Sequence, residues 1–339
     1  MPFTIHVTRD FDQLSAVAAG IAEASIARGQ ARAGTFVLGL ATGSSPTGLY
    51  KHLAKAFNAG RLDAGRVRTF NLDEYVGLPG ANAQQRALHP ESYGFFMVSE
   101  LFGLVSPRIR QTDMPWGTLV DQAALRAALD AGDGYELVGT DRGRAVAISP
   151  GAEGYLGWVR DEVLAAYATR IADAGGIDLH VIGVGGRGHV AFHESGIPFD
   201  GHPMLLVSLD DSTIANAVAD GHFASVEEAP HFAVSMGAEL VFKAREVLLL
   251  AGGSRKTGPV TEAVLGEVTP DVPLSYAQRY AAEGGHLTFV LDESAASGLL
   301  ARADELAARG VDLVDRRGEP AEPLASVTFS RSAETGRLA

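Results

Sequence analysis

Two adjacent carboxylates, Asp73 and Glu74, close an apolar run from Val67 to Leu72. In open α/β sheets, ligands bind at the carboxyl ends of strands. A carboxylate that is buried, or that sits beside a like charge, acquires a raised pKa and can serve as a general base. A bare Asp-Glu pair also reads as a solvated acidic turn. A second stretch, Gly183 to Glu194, sets His189, His193 and Glu194 among glycines at 183, 185, 186 and 188. An imidazole steadied by a carboxylate shuttles protons near neutral pH. Gly185 and Gly186 let backbone wrap a small polar ligand. One isolated histidine would read as a core residue with a satisfied hydrogen bond; the cluster favours chemistry.

The same glycines spell G-x-G-x-x-G, with Asp210 at a later strand end. A dinucleotide fingerprint opens directly into a helix. Here Ser195-Gly196-Ile197-Pro198 and Gly201-His202-Pro203 follow, leaving too little room for one. His189, His193 and Glu194 could also suggest a metal site, but their spacing lacks a third well-placed ligand. The reading therefore includes no metal and no cofactor.

A third stretch, Ala41-Thr42-Gly43-Ser44-Ser45-Pro46, links an apolar run to an amphipathic one. Gly43 permits close backbone approach. Ser45 suits a helix N-cap and Pro46 the first helical position. Exposed amides and the positive helix end would attract a phosphate, with Thr42, Ser44 and Ser45 adding hydroxyls. An ordinary βα turn uses the same residues. The Gly-Lys-Ser/Thr ending of a P-loop is absent.

The elements that must position these groups follow from short apolar runs alternating with amphipathic stretches. Thr35–Leu40, Val67–Leu72, Ile177–Val184, Met204–Leu209, Val247–Leu250 and Leu287–Leu291 read as strands. Phe11–Arg28, Thr47–Phe57 and Ser294–Arg309 read as helices. The expected fold class is α/β: a Rossmann-like, doubly wound, mostly parallel sheet flanked by helices. Residues 1–310 are expected to form one domain with an insertion at about 106–148. Residues 311–339 read as a C-terminal extension with a strand-like Ser326-Val327-Thr328-Phe329.

The chain has 339 residues, 46% hydrophobic, enough to bury a sizeable core. Its net charge of −13 argues against nucleic acid and anionic membranes as partners. An anionic substrate then needs a local positive pocket. With no cysteine, thiolate catalysis and disulfides are excluded. No signal peptide or membrane-length apolar run is visible, so a cytoplasmic enzyme is expected.

Taken together, the three stretches resemble the glucosamine-6-phosphate deaminase (NagB) family. Leu38–Pro46 resembles its phosphate loop, and Phe70-Asn71-Leu72-Asp73-Glu74-Tyr75-Val76-Gly77-Leu78-Pro79 its signature around the catalytic aspartate. His89-Pro90-Glu91-Ser92-Tyr93 follows as in the family. Gly183–Glu194 resembles the loop of the ring-opening histidine, and Gly252-Gly253-Ser254-Arg255-Lys256 a later loop whose lysine contacts phosphate. The resemblance spans about residues 10–300, in order. It implies a NagB/RpiA-like fold, an amino-sugar phosphate as substrate, and assembly into a homo-oligomer. It implies that Asp73 moves the proton between C2 and C1 of the opened sugar. His189 would open the ring, oriented by Glu194. Thr42, Gly43, Ser44, Ser45, Gly185, Gly186, Arg187 and Lys256 would hold the substrate and its phosphate.

Three positions depart from the family pattern. Arg187 stands where an aspartate is usual, two residues before the histidine. His193 replaces an asparagine, and Ile214-Ala215-Asn216-Ala217-Val218 lacks the family's phosphate-contacting arginine. Two other functions compete. A 6-phosphogluconolactonase-like hydrolase shares similar loops, but that family typically follows the Asp-Glu pair with arginine, where Tyr75 stands here. A non-catalytic sugar-phosphate sensor is the reading that Arg187 keeps open.

Overall fold

The computed structural model of the protein describes residues 3–219 and 221–321. Its strands are β1 (Phe3–Thr8), β2 (Phe36–Leu40), β3 (Val67–Asn71), β4 (Asp73–Val76), β5 (Gln111–Asp113), β6 (Tyr135–Thr140) and β7 (Gly143–Ile148). They continue with β8 (Leu179–Ile182), β9 (Met204–Ser208), β10 (Phe232–Met236), β11 (Glu246–Ala251), β12 (His286–Asp292) and β13 (Asp312–Asp315). Eight strands form one sheet in the order β13-β1-β12-β11-β8-β2-β3-β5. Every pairing in it is parallel. β2 is Phe-Val-Leu-Gly-Leu and buried at all five positions, as expected of a strand covered on both faces. The α/β class and the parallel sheet flanked by helices are as the sequence reading expected.

The second sheet has five antiparallel strands in the order β4-β10-β9-β7-β6. One residue joins the two sheets. Leu72 donates its N–H to Leu40 O at 3.1 Å, extending the β2–β3 ladder, and its carbonyl accepts Met236 N–H at 2.8 Å from β10. Asp73 is therefore held at the corner where the sheets meet.

Residues 106–148, expected as an insertion, supply pairing to both sheets. β5 forms the edge beyond β3, and β6–β7 is a hairpin on the second sheet. β5 is only three residues long and β6 is largely exposed, so neither carries a clear apolar alternation. The expected boundary at 310 is also displaced. β13 pairs in parallel with β1 and completes the main sheet. Its Leu313 and Val314 are half-buried at an edge, too weak a signal to separate from the polar tail that follows. The strand-like Ser326–Phe329 lies outside the described residues. The expected helix over 294–309 is two, Glu293–Leu300 and Ala303–Ala308.

Candidate active site

The neighbouring strands β11, β8, β2 and β3 end side by side, so their following loops share one rim of the parallel sheet. These are the loops 252–256, 183–189, 41–46 and 72–73. All three sequence stretches, and the Lys256 loop, are thus brought to one edge by strand order alone. A further tie runs between Asp73 and the histidine loop. Ser235 on β10 is the register partner of Asp73, and its Oγ accepts the Phe192 N–H at 3.0 Å.

Asp73 and Glu74 are both buried, but their surroundings differ. Glu74 Oε1 accepts N–H groups of Tyr75 (2.9 Å) and Tyr93 (3.0 Å), and Oε2 accepts that of Gly94 (3.0 Å). It therefore pins the start of the helix Tyr93–Glu100. Burial pushes its carboxyl up to about 7 against the pull of these donors. Asp73 has no such donors among the described residues. Burial, and then the neighbouring Glu74 charge, raise it well above the ordinary carboxylate range. A carboxylate held this way is a proton acceptor without competing partners.

The histidine loop is strained where it meets the site. Arg187 and Ala191 adopt φ of 53° and 51°, a region that non-glycine residues enter rarely. The His189 ring lies against Gly185: a Cβ there would fall 1.5 Å from its Nε2. Gly185 itself has ordinary negative φ, so an alanine is excluded by the imidazole and not by the backbone. Burial, and then the Lys256 charge, lower His189 to about 4, against a raising influence of Asp210. At neutral pH the ring is an uncharged donor–acceptor. Gly185→Ala is expected to displace it, lowering kcat about as much as removing the imidazole while leaving the melting temperature nearly unchanged. Steady-state kinetics beside a thermal melt check this.

Glu194 is placed differently from the sequence expectation. Its Oε1 accepts Thr213 Oγ1–H at 2.6 Å and its Oε2 accepts Asp210 N–H at 2.8 Å. Both oxygens are occupied at the entry to the helix Asp211–Ala219, and none of the described contacts joins Glu194 to His189. Burial raises it to about 7. The carboxylate whose charge acts on His189 is Asp210, which also accepts Arg187 Nη1–H at 3.1 Å. The sequence noted Asp210 only as a strand-end acid; pairing it with this site requires the tertiary fold. His193 is a core residue. Its Nε2 lies 3.0 Å from Ile197 O and its Nδ1 accepts Ala238 N–H at 2.9 Å, which sets the tautomer.

The 41–46 turn also differs in detail. The helix begins at Thr47, Pro46 occupies the cap position, and Ser45 makes no capping bond. The result is an open turn. Gly43 has φ of 100°, and no hydrogen bond from the N–H groups of Thr42, Gly43, Ser44 or Ser45 is found among the described residues. Lys256 donates from Nζ to Val184 O at 2.7 Å, placing its charge beside Gly185. Among the described residues, no group of three His, Asp or Glu side chains is arranged to hold a metal ion. No helix among them is long and apolar enough to cross a membrane.

No family model matches the chain. Individual relatives do. A protein of Rhodopirellula baltica named glucosamine-6-phosphate deaminase is 35% identical over 299 residues, covering 88% of this chain and 97% of that one. One of Clostridium botulinum strain Eklund 17B, with the same name, is 32% identical over 86% of this chain and 95% of its own. Among solved structures, a monomeric glucosamine-6-phosphate deaminase of the NagB superfamily shares the fold, with a TM-score of 0.63 and 24% identity. It covers 87% of this chain and 99% of that one. A 6-phosphogluconolactonase from Plasmodium vivax has a TM-score of 0.57 at 13% identity, covering 88% and 94% of the two chains, which again shows fold alone. With more than 30% identity extending over nearly the full length of such relatives, the chain belongs to the glucosamine-6-phosphate deaminase family.

Proposed function

We propose that the protein converts glucosamine 6-phosphate and water to fructose 6-phosphate and ammonia. The observation that carries this reading is a buried carboxylate, Asp73, that has no competing donors among the described residues, on the same sheet rim as a neutral imidazole, His189, and an open amide turn. Neutral His189 takes the proton of the anomeric hydroxyl and delivers it to the ring oxygen, opening the pyranose. The resulting C1 carbonyl acidifies the C2 proton. Asp73 removes that proton and returns it to C1, leaving a C2 imine. Water adds to C2, nitrogen takes up protons, and ammonia departs to leave the ketone. Each step conserves charge without a cofactor or metal.

The amides of residues 42–45, with Lys256, supply positive potential for the phosphate. Arg187, half-exposed and held by Asp210, is positioned to add to it. Glu194 acts on this site by fixing Asp210 and the following helix. The homo-oligomer and the cytoplasmic location expected from the sequence belong to the same proposal; sedimentation of the purified protein and fractionation test them.

The direct test is ammonia release from hexosamines with and without the 6-phosphate, alongside hydrolysis of 6-phosphogluconolactone. Turnover of the amino-sugar phosphate is expected. Lactone hydrolysis without ammonia release would overturn the reading. In the same assay, Arg187→Ala should raise KM for glucosamine 6-phosphate about tenfold, the scale of a lost charge-assisted hydrogen bond, with little change for unphosphorylated glucosamine. An unchanged KM would confine Arg187 to its pairing with Asp210.

A further inference from the structure

The rim of the main sheet extends one strand beyond the loops that form the site. β12 pairs in parallel with β11, so its carboxyl end lies beside the loop 252–256 that carries Lys256. Asp292 ends β12, and its carboxylate is divided between two backbone groups. Oδ1 accepts Ala295 N–H at 2.7 Å and caps the helix Glu293–Leu300. Oδ2 accepts Gly253 N–H, also at 2.7 Å. A Cβ on Gly252 would fall 3.0 Å from that oxygen, so the carboxylate packs directly on the loop backbone.

Gly253 needs such a hold. Its φ of 86° and ψ of 155° belong to a region reserved in practice for glycine, which persists only where the surroundings fix it. The Gly253 carbonyl accepts Lys256 N–H at 3.0 Å and closes the turn Ser254–Lys256. One glycine thus links the Asp292 carboxylate to the lysine backbone. The lysine Nζ then reaches Val184 O at 2.7 Å, at the start of the histidine loop. A second tie follows the turn. Thr257 donates from Oγ1 to Ser294 O at 2.7 Å, joining the helix Thr257–Leu265 to the helix that Asp292 caps.

We infer that Asp292 is a positioning residue for Lys256: its carboxylate fixes Gly253, from which the Ser254–Lys256 turn is built, and so aims the ammonium group at the substrate phosphate. This rests on the reading of Lys256 as a phosphate-holding residue. With the Gly253 bond gone, the glycine leaves its restricted conformation and the turn no longer sets the lysine backbone. Capping and holding use different oxygens, so substitution separates them. Serine caps a helix about as well as aspartate. It brings a single oxygen, which serves Ala295 and leaves Gly253 without its acceptor.

The test is the kinetics of ammonia release in Asp292→Ser. KM for glucosamine 6-phosphate should rise about tenfold, the scale of a weakened hydrogen bond to a charged group. The inhibition constant of inorganic phosphate, used as a competitive probe, should rise by the same factor. The change in kcat should stay within about threefold, because Asp292 does not touch the reacting atoms. The melting temperature should hold in Asp292→Ser and fall by about 2 °C in Asp292→Ala, which loses the cap as well. Both variants should show the same rise in KM. A folded serine variant with unchanged KM overturns the inference, as does a KM that rises only in Asp292→Ala, or failure of both variants to fold, which would make Asp292 purely structural. Lys256→Ala, measured alongside, tests the reading beneath it: an unchanged KM there would remove Lys256 from phosphate binding altogether.

Discussion

Asp73→Asn is expected to lower kcat for ammonia release by about 10³-fold or more, towards the upper range for loss of a general base. KM should stay within a few-fold of wild type. The substitution keeps the shape and the corner between the two sheets, because Leu72 and not Asp73 makes the joining hydrogen bonds. It also removes a charge that burial and Glu74 oppose, so the melting temperature should hold or rise. The sign follows from linkage. A carboxyl whose folded pKa lies above its unfolded value destabilises the fold as pH rises through that folded pKa. The asparagine variant should therefore gain most, relative to wild type, at neutral and higher pH. Kinetics with thermal melts at pH 5 and pH 8 check both halves. A substantially destabilised variant would mean that Asp73 serves the fold and not the chemistry.

His189→Asn carries the second large effect, a loss in kcat of about 10²-fold or more. What remains should be limited by spontaneous opening of the sugar ring. The two substitutions should differ in their pH profiles. His189 is depressed to about 4 by burial and by the Lys256 charge, so it is already neutral through the acid limb. That limb should keep its position in His189→Asn while the whole curve drops. Asp73 stands well above the usual carboxylate range, so the limb belongs to it, and activity is lost as pH falls through its pKa. A limb that vanishes with His189 would reverse the assignment.

Much of this was legible in the sequence because the informative residues sit at strand ends. The apolar runs before Thr42, Asp73 and Gly183 correspond to β2, β3 and β8, which the main sheet places side by side. A parallel α/β reading was therefore enough to predict that their loops share a rim. Of the second sheet only β9 was read, as the expected strand Met204–Leu209, and not as part of a separate sheet. Its strand β4 is the Asp73-Glu74 motif itself, starting after one joining residue, and β6 is mostly exposed. Neither gives the apolar run by which β2 announces itself.

The partners of the acids were not legible either. Glu194 looked like the support of His189 because it lies five residues away in sequence. The fold turns its oxygens to Thr213 and the Asp210 amide, and leaves Asp210 to act on the imidazole. Arg187, which stands where an aspartate is usual, finds its counter-charge in Asp210. Such pairings depend on β9 and the helix that follows it meeting the loop after β8. Nothing in local spacing encodes that meeting.

The central claim is that Asp73 carries one proton between two carbons of the opened sugar. Turnover of glucosamine 6-phosphate carrying deuterium at C2, with the product read by NMR, tests it most directly. Wild-type protein should yield fructose 6-phosphate with that deuterium at one face of C1, together with ammonia, while Asp73→Asn should bind substrate, transfer no label and release no ammonia. Ammonia formed by Asp73→Asn at the wild-type rate, or label that reaches C1 without Asp73, would contradict the account.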